Sequence, residues 1–206
     1  MSKLDFNFNE ITSKLQKKLS NSSVIPRPIA WISTLNENGT VNLAPFSYFA
    51  ILSTSLLVVS FMKPKDGHKD TYRNIMRTKE AVVNIADLSL LEVLDETSKS
   101  LDYNESEVLI NNLSLEASKT IETPKIKEAS INMEVLLEFD KDMPYRDSDE
   151  IEVNIVLLRI QSMSINKDIF DEEKEYILRE KLNPISRLDG SNFGKSVILD
   201  YKRKHI

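Results

Sequence analysis

The sequence of 206 residues predicts a mainly β protein: a closed antiparallel β-barrel with peripheral helices packed at its ends. Three observations carry that prediction. Strand-like segments outnumber helical ones. They arrive as hairpins and short crossovers. The four glycines, Gly39, Gly67, Gly190 and Gly194, form no G-x-G-x-x-G turn, which removes the doubly wound dinucleotide fold.

The elements follow in chain order. Asn9 to Leu19 reads as a short helix, because Ile11, Leu15 and Leu19 recur every four residues, and Asn21-Ser22-Ser23 ends it. Ile29 to Leu35 is a strand with Pro28 at its start, where a missing N–H does least harm. Asn36-Glu37-Asn38-Gly39 is a four-residue hairpin turn in which Gly39 is free to take a positive φ, and Val41 begins the return strand. Leu56 to Met62 is an apolar strand ended by Lys63-Pro64-Lys65-Asp66-Gly67. Lys69 to Thr78 reads as a helix, capped by Asp70 or Thr71, with Tyr72, Ile75 and Met76 on one face. Ala81 to Ala86 is a strand and Ser89 to Lys99 a helix. Leu101 to Thr123 is polar and irregular, an excursion expected on the surface. In Ser130 to Phe139, Ile131, Met133, Val135 and Leu137 alternate with mostly polar neighbours, as in a half-buried strand. Ile151 to Ile165 is a long strand and Asp171 to Leu182 a final helix. No repeat, low-complexity block or linker divides the chain, so residues 1–206 are read as one domain.

Composition narrows the function. With 41% hydrophobic and 29% charged residues the chain is of globular type, not disordered. A net charge of −5 forces no basic face and argues against a nucleic-acid partner. The absence of cysteine removes disulfides, thiolate metal sites and cysteine nucleophiles. Only His68 and His205 offer imidazole, too few for a histidine metal site, so no metal is expected. The first residues carry no apolar signal core. The longest apolar stretch, Phe49 to Met62, is interrupted by Ser53, Thr54, Ser55 and Ser60, so no membrane span is expected. The protein reads as soluble and cytoplasmic.

Gly190 to Ser196, GSNFGKS, imitates a phosphate-binding loop but has three residues between its glycines where that loop needs four. It also leaves only ten residues after it, ending in the basic run Lys202-Arg203-Lys204, so it reads as a glycine turn before a solvated tail. The acidic clusters Asp149-Glu150 and Asp171-Glu172-Glu173 read as solvated faces. Two stretches remain. In Val24 to Ala50 and in HKDTYRNI, His68 to Ile75, the cations Arg27, Lys69 and Arg73 accompany the hydroxyls of Ser33, Thr34, Ser47 and Thr71. Such a set suits a phosphate, with a helix N-terminus at Asp70-Thr71 to help. Trp31, Phe46, Tyr48 and Phe49 offer flat surface for a ring system and exceed what a small barrel interior hides, which points to a homodimer. By composition alone, a barrel core with surface cations accounts for these residues equally well.

The order of motifs goes further. Pro26-Arg27-Pro28-Ile29-Ala30-Trp31-Ile32-Ser33-Thr34, then Asn42-Leu43-Ala44-Pro45-Phe46-Ser47-Tyr48-Phe49, then Lys69-Asp70-Thr71-Tyr72-Arg73-Asn74-Ile75 and Val82-Val83-Asn84 resemble the flavin reductase-like, FMN-binding split-barrel family, on its flavoredoxin-like branch. The likeness is strong over Val24 to Leu94 and weaker through Thr123 to Phe139 and Asn183 to Gly190. It implies a six-stranded split barrel that binds FMN non-covalently at a homodimer interface. It implies cofactor contacts from Arg27, Trp31, Ser33, Thr34, Asn42, Ala44, Pro45, Phe46 and Ser47, with Lys69, Thr71 and Arg73 at the phosphate. It implies an FMN-dependent oxidoreductase, with NAD(P)H as donor and a free flavin, a metal complex or a protein as acceptor. The alternative is an FMN-carrying electron-transfer protein without NAD(P)H activity. No side chain is required as nucleophile or base, so no catalytic residue is assigned. One departure stands out: Val156-Leu157-Leu158-Arg159-Ile160 places an arginine where members of the family often carry a glutamate. Arg159 there either meets a dinucleotide phosphate or fills its space.

Overall fold

The computed structural model describes residues 2–65, 67–201 and 204. His205 and the basic residues Lys202 and Arg203 lie outside the described residues, as does Asp66.

Helix α1 spans Ser13–Ser23, four residues later than the periodicity predicts. Thr12 sets the start, because its hydroxyl accepts from the N–H of Leu15. The serines expected to end the helix extend it instead: the hydroxyls of Ser22 and Ser23 donate back to the carbonyls of Lys18 and Leu19, at 2.7 and 2.6 Å. The chain continues through β1 (Arg27–Pro28), β2 (Ala30–Leu35), β3 (Val41–Phe46), β4 (Phe49–Ser53) and β5 (Leu56–Met62). Gly39 carries the hairpin turn at φ 81°, as expected. Strand β4 was missed in the sequence, its serines masking a short hairpin with β5. Helix α2 is Asp70–Thr78. Its N-cap is Lys69, in extended conformation and without a side-chain cap, so Asp70 and Thr71 lie inside the first turn and neither is the cap.

Strand β6 (Glu80–Ile85) and helix α3 (Leu91–Glu96) follow, then α4 (Glu107–Ile110), β7 (Leu115–Glu116) and β8 (Lys125–Ile126). The long strands are β9 (Ile131–Pro144) and β10 (Ile151–Ile165). The final helix expected over Asp171 to Leu182 is mostly a hairpin, β11 (Phe170–Asp171) with β12 (Tyr176–Ile177), and only α5 (Arg179–Leu182) is helical. The Asp171 carboxylate accepts from the N–H groups of Glu173 and Lys174 and so closes a turn where a helix was expected. After β13 (Ile185–Arg187), the Gly190 segment leads into β14 (Phe193–Lys195) and not into a helix, so it is no phosphate loop.

The main sheet has seven strands in the order β3-β2-β6-β9-β10-β5-β4, all antiparallel. The resemblance implied six. Its terminal strands, β3 and β4, are separated in sequence by only Ser47 and Tyr48. Two residues cannot cross the width of a flat sheet, so the sheet curls until its edges meet. Phe46 of β3 then lies edge-on to Phe61 of β5, ring centroids 4.7 Å apart.

The strand period of two divides the core. Ala30 and Ile32 face inward with Leu57, Val59, Phe61, Val83, Val135 and Leu158. Ile29, Trp31, Val41 and Leu43 face outward and are covered by Leu94, Val108, Ile126 and Ile185. The Leu101 to Thr123 excursion is therefore not a surface loop throughout. Its Ser106, Glu107 and Val108 are buried, and the Ser106 hydroxyl donates to the carbonyl of Val41.

Candidate functional site

Buried amides bring α2 to the hairpin. The side-chain amide of Asn42 donates to the hydroxyls of Thr34 and Thr71, at 3.2 and 2.9 Å. That of Asn74 donates to Thr34 and to the side-chain carbonyl of Asn36, at 3.1 and 2.8 Å. The N-terminus of α2 is thereby held beside the outer edge of β3.

Between them runs a groove with two chambers. The first, about 130 Å³, is lined by Asn42, Ala44, Pro45, Phe46, Lys69, Asp70 and Thr71, and closed on the other side by Thr97 to Leu101 and Glu107. The second, about 200 Å³, continues past Pro45 and Ser98, which border both, to Ile29, Ser47, Leu94 and Phe193. Seven of the twelve residues expected at a cofactor thus line these two adjoining chambers: Asn42, Ala44, Pro45, Phe46, Ser47, Lys69 and Thr71.

The other five line neither chamber and hold the scaffold. Arg27 is buried, and its Nη1 donates to the carbonyls of Asn21 and Val24, where the cation meets the C-terminal end of α1. Trp31 is fully buried under α3, its Nε1–H donating to the Thr97 hydroxyl at 2.9 Å. Ser33 donates to the carbonyl of Pro124, and Thr34 accepts from the two amides already described. Arg73 lies over the Tyr103 ring at 3.9 Å and pairs with Asp70 at 3.6 Å. Arg159 is engaged elsewhere as well: its Nε and Nη2 hold both carboxylate oxygens of Glu138, at 2.8 and 2.9 Å, and its Nη1 donates to Ser55.

The first chamber gathers several donors, beside the carboxylates of Asp70 and Glu107 that also line it. Lys69 caps no N–H of α2 with its side chain, so the first-turn N–H groups remain open at the positive end of the helix dipole. Thr71 Oγ1 is already an acceptor from Asn42, which leaves its own hydroxyl proton to donate. The Lys69 side chain adds a charge.

Sequence reasoning missed Glu107, which the excursion brings into the same chamber. It is buried, and one carboxylate oxygen accepts from the N–H of Leu43 at 2.8 Å. Burial pushes its carboxyl above the usual glutamate range, against the N–H bonds from Leu43 and its own backbone, and the charges of Asp70 and Glu105 push the same way. Only its place at the head of a short helix, after Ser106, was visible in the chain.

The curled antiparallel sheet, whose edge strands β3 and β4 meet, has the architecture of a split barrel. The chain belongs to the flavin reductase-like family: the flavin reductase like domain matches residues 22–180. It is 36% identical over 196 residues to the uncharacterized protein YwrF of Bacillus subtilis, covering 92% of this chain and 93% of that one. Among solved structures it resembles nitrilotriacetate monooxygenase component B from Bacillus cereus, at 33% identity and a TM-score of 0.93, over 98% of this chain and 100% of that chain. It also resembles the 2-nitrobenzoate 2-nitroreductase NbaA of Pseudomonas fluorescens, at 27% identity and a TM-score of 0.83, over 98% of both chains. A flavoredoxin of Desulfovibrio vulgaris, 12% identical over 88% of this chain and 92% of that one with a TM-score of 0.72, shares the fold. The chemistry of this chain is flavin-linked oxidation and reduction.

The raised carboxyl of Glu107 predicts a stability that depends on pH. A folded carboxyl that titrates above its unfolded value, about 4.3, holds its proton more tightly than the unfolded chain does. That contribution is whole below the unfolded pKa and is lost as pH rises through the folded one. Glu107→Gln removes the loss while keeping an acceptor for Leu43. Urea melts between about pH 4 and pH 8 should show wild type losing stability relative to the variant as pH rises. A difference that stays constant with pH would show that Glu107 does not titrate in this range.

Proposed function

We propose that this chain, acting as a single domain over residues 1–206, binds one FMN non-covalently in the groove and works as an NAD(P)H-dependent oxidoreductase. The observation that carries the reading is the junction of β3 with the N-terminus of α2. It puts an anion site next to a chamber walled by Ile29, Leu94 and Phe193, which suits a phosphate joined to a flat ring. Bound FMN supplies the two-electron chemistry. The chain's own residues bind and orient. The open N–H groups of α2, Lys69 and the Thr71 hydroxyl hold the phosphate. Ala44, Pro45, Phe46 and Ser47 border the ring, and the walls of the second chamber keep water from it. The acceptor is a small molecule or a protein; the similar solved structures named as a monooxygenase component and a nitroreductase support that range. The protein acts in the cytoplasm, in keeping with its lack of cysteine. Among the described residues no helix is long and apolar enough to cross a membrane.

We also propose a homodimer, for a reason other than the hairpin aromatics. Trp31 is buried, and Phe46 and Phe49 pack against the inner core. The apolar surface lies on the outer face of β4, β5, β10 and β9. The register there aligns Ala50, Val58, Leu157 and Phe139 in one row, with Leu56 and Leu136 beside it. Phe139 is 51% exposed and Leu136 38%. The second core covers the β2–β3 half of the sheet, and a second copy covers this half.

FMN should bind more tightly than riboflavin, because the donors act on the phosphate. Lys69→Ala should weaken FMN binding by about 1.5 kcal/mol, the low end for a hydrogen bond to a charged group, since Lys69 is exposed. Flavin fluorescence titration measures both, and equal affinities for the two flavins would move the phosphate elsewhere. Light scattering at micromolar concentration should report a dimer, and a flavin-loaded monomer would refute the apolar face as an interface. In anaerobic stopped-flow mixing, NADH or NADPH should bleach the bound flavin. If dithionite bleaches it and neither nicotinamide does, the protein is an electron carrier.

A further inference from the structure

The second chamber holds a charge that binding of the phosphate does not use. Arg187, on β13, lines it together with Pro45 and Leu94. The guanidinium is fixed from three sides. Its Nε donates to the carbonyl of Asp189 at 3.1 Å, its Nη2 donates to the carbonyl of Gly190, and its plane lies over the Phe193 ring, 4.4 Å from the centroid. Its Nη1 donates to no protein acceptor among the described residues. Among the described residues no carboxylate forms a direct ion pair with it, although the nearby Asp189 carboxylate feels its charge. The Asp189 carboxylate accepts instead from the N–H groups of Ser191 and Asn192 and from the Asn192 side-chain amide. Asp95 lines the same chamber, but it is exposed to solvent and forms no ion pair with Arg187.

The geometry of the groove orders its two ends. Lys69, Thr71 and the open end of α2 place an anion in the first chamber. A flavin ring attached to that anion then has the second chamber to enter, past Pro45 and Ser98, where Arg187 is the one cation among the described lining residues. Oxidised FMN has a neutral ring. On taking two electrons from the donor and one proton, the ring gains one negative charge at its pyrimidine edge. A preorganised cation with an unused N–H favours that form over the neutral one.

We propose that Arg187 is the residue that sets the reduction potential of the bound flavin, by binding the reduced, anionic ring more tightly than the oxidised one. The inference rests on the FMN reading. It assigns to the weakly matching segment Asn183 to Gly190 a task in electron transfer that is separate from holding the cofactor.

The test is the midpoint potential of the FMN-loaded protein, measured by dithionite titration against a reference dye, beside the dissociation constant for oxidised FMN. Arg187→Gln should leave the affinity for oxidised FMN within about twofold and weaken that for reduced FMN by about tenfold more. For a two-electron couple, that lowers the potential by about 30 mV. Arg187→Lys, which keeps the charge, should retain most of the wild-type potential. Asp95→Asn should move the potential in the opposite direction, a sign reversal that loss of packing does not produce. Unchanged potentials in Arg187→Gln, or shifts of the same sign in Arg187→Gln and Asp95→Asn, overturn the assignment while the FMN reading stands. If wild type binds no FMN, the reading and this inference fall together.

Discussion

The amide of Asn42 holds the site together. It is almost wholly buried, and its two protons go to Thr34 on the neighbouring strand and Thr71 on α2. A buried amide without partners costs about 1–3 kcal/mol, so this side chain admits one relative placement of strand and helix. Asn74 repeats the connection from the helix side, through Thr34 and Asn36. The position of the α2 N-terminus, and with it the first chamber, follows from a polar tie inside the fold. The tie leaves unused the proton of the Thr71 hydroxyl, the first-turn N–H groups and Lys69.

Strand alternation explains why one motif serves two purposes. Along β2, Ala30 and Ile32 fill the barrel while Ile29 and Trp31 belong to the outer core. Along β3, Val41 and Leu43 enter that outer core while Asn42, Ala44 and Phe46 on the opposite face, together with Pro45 near the strand end, border the groove. The Trp31 ring supports the groove from beneath, through Thr97, which itself lines the first chamber. Arg27 does similar work at a distance, tying the end of α1 to β1, which pairs with the strand that carries Arg187.

Charge also marks the two chambers. The first has Lys69 and a helix N-terminus, with the Glu107 carboxyl buried nearby. The second has Arg187, held by two carbonyls and a phenyl ring. Arg159, the departure most visible in the chain, sits on the outer sheet face, its charge met by both oxygens of Glu138. A side chain with so complete a local partner has little left for a ligand.

Local pattern was enough for much of this protein. Apolar runs marked β5 and β10 to the residue, the hairpin turn followed from Gly39, and the motif order identified the family. Seven residues that line the two chambers were singled out through the motifs that carry the family resemblance. What the chain did not reveal depends on contacts between distant segments. Whether Thr34 meets a ligand or an amide is decided by Asn42 and Asn74. Whether Trp31 is a platform or a core residue is decided by α3 folding over it. Glu107 and Arg187 come from segments more than sixty and a hundred residues beyond the hairpin turn, and no spacing links them to it. The sequence determined which faces are apolar and where turns fall, because those are properties of neighbouring residues. Only the tertiary structure decided which polar groups satisfy one another and which stay open, because a buried donor finds its partner by position in space and not by position in the chain.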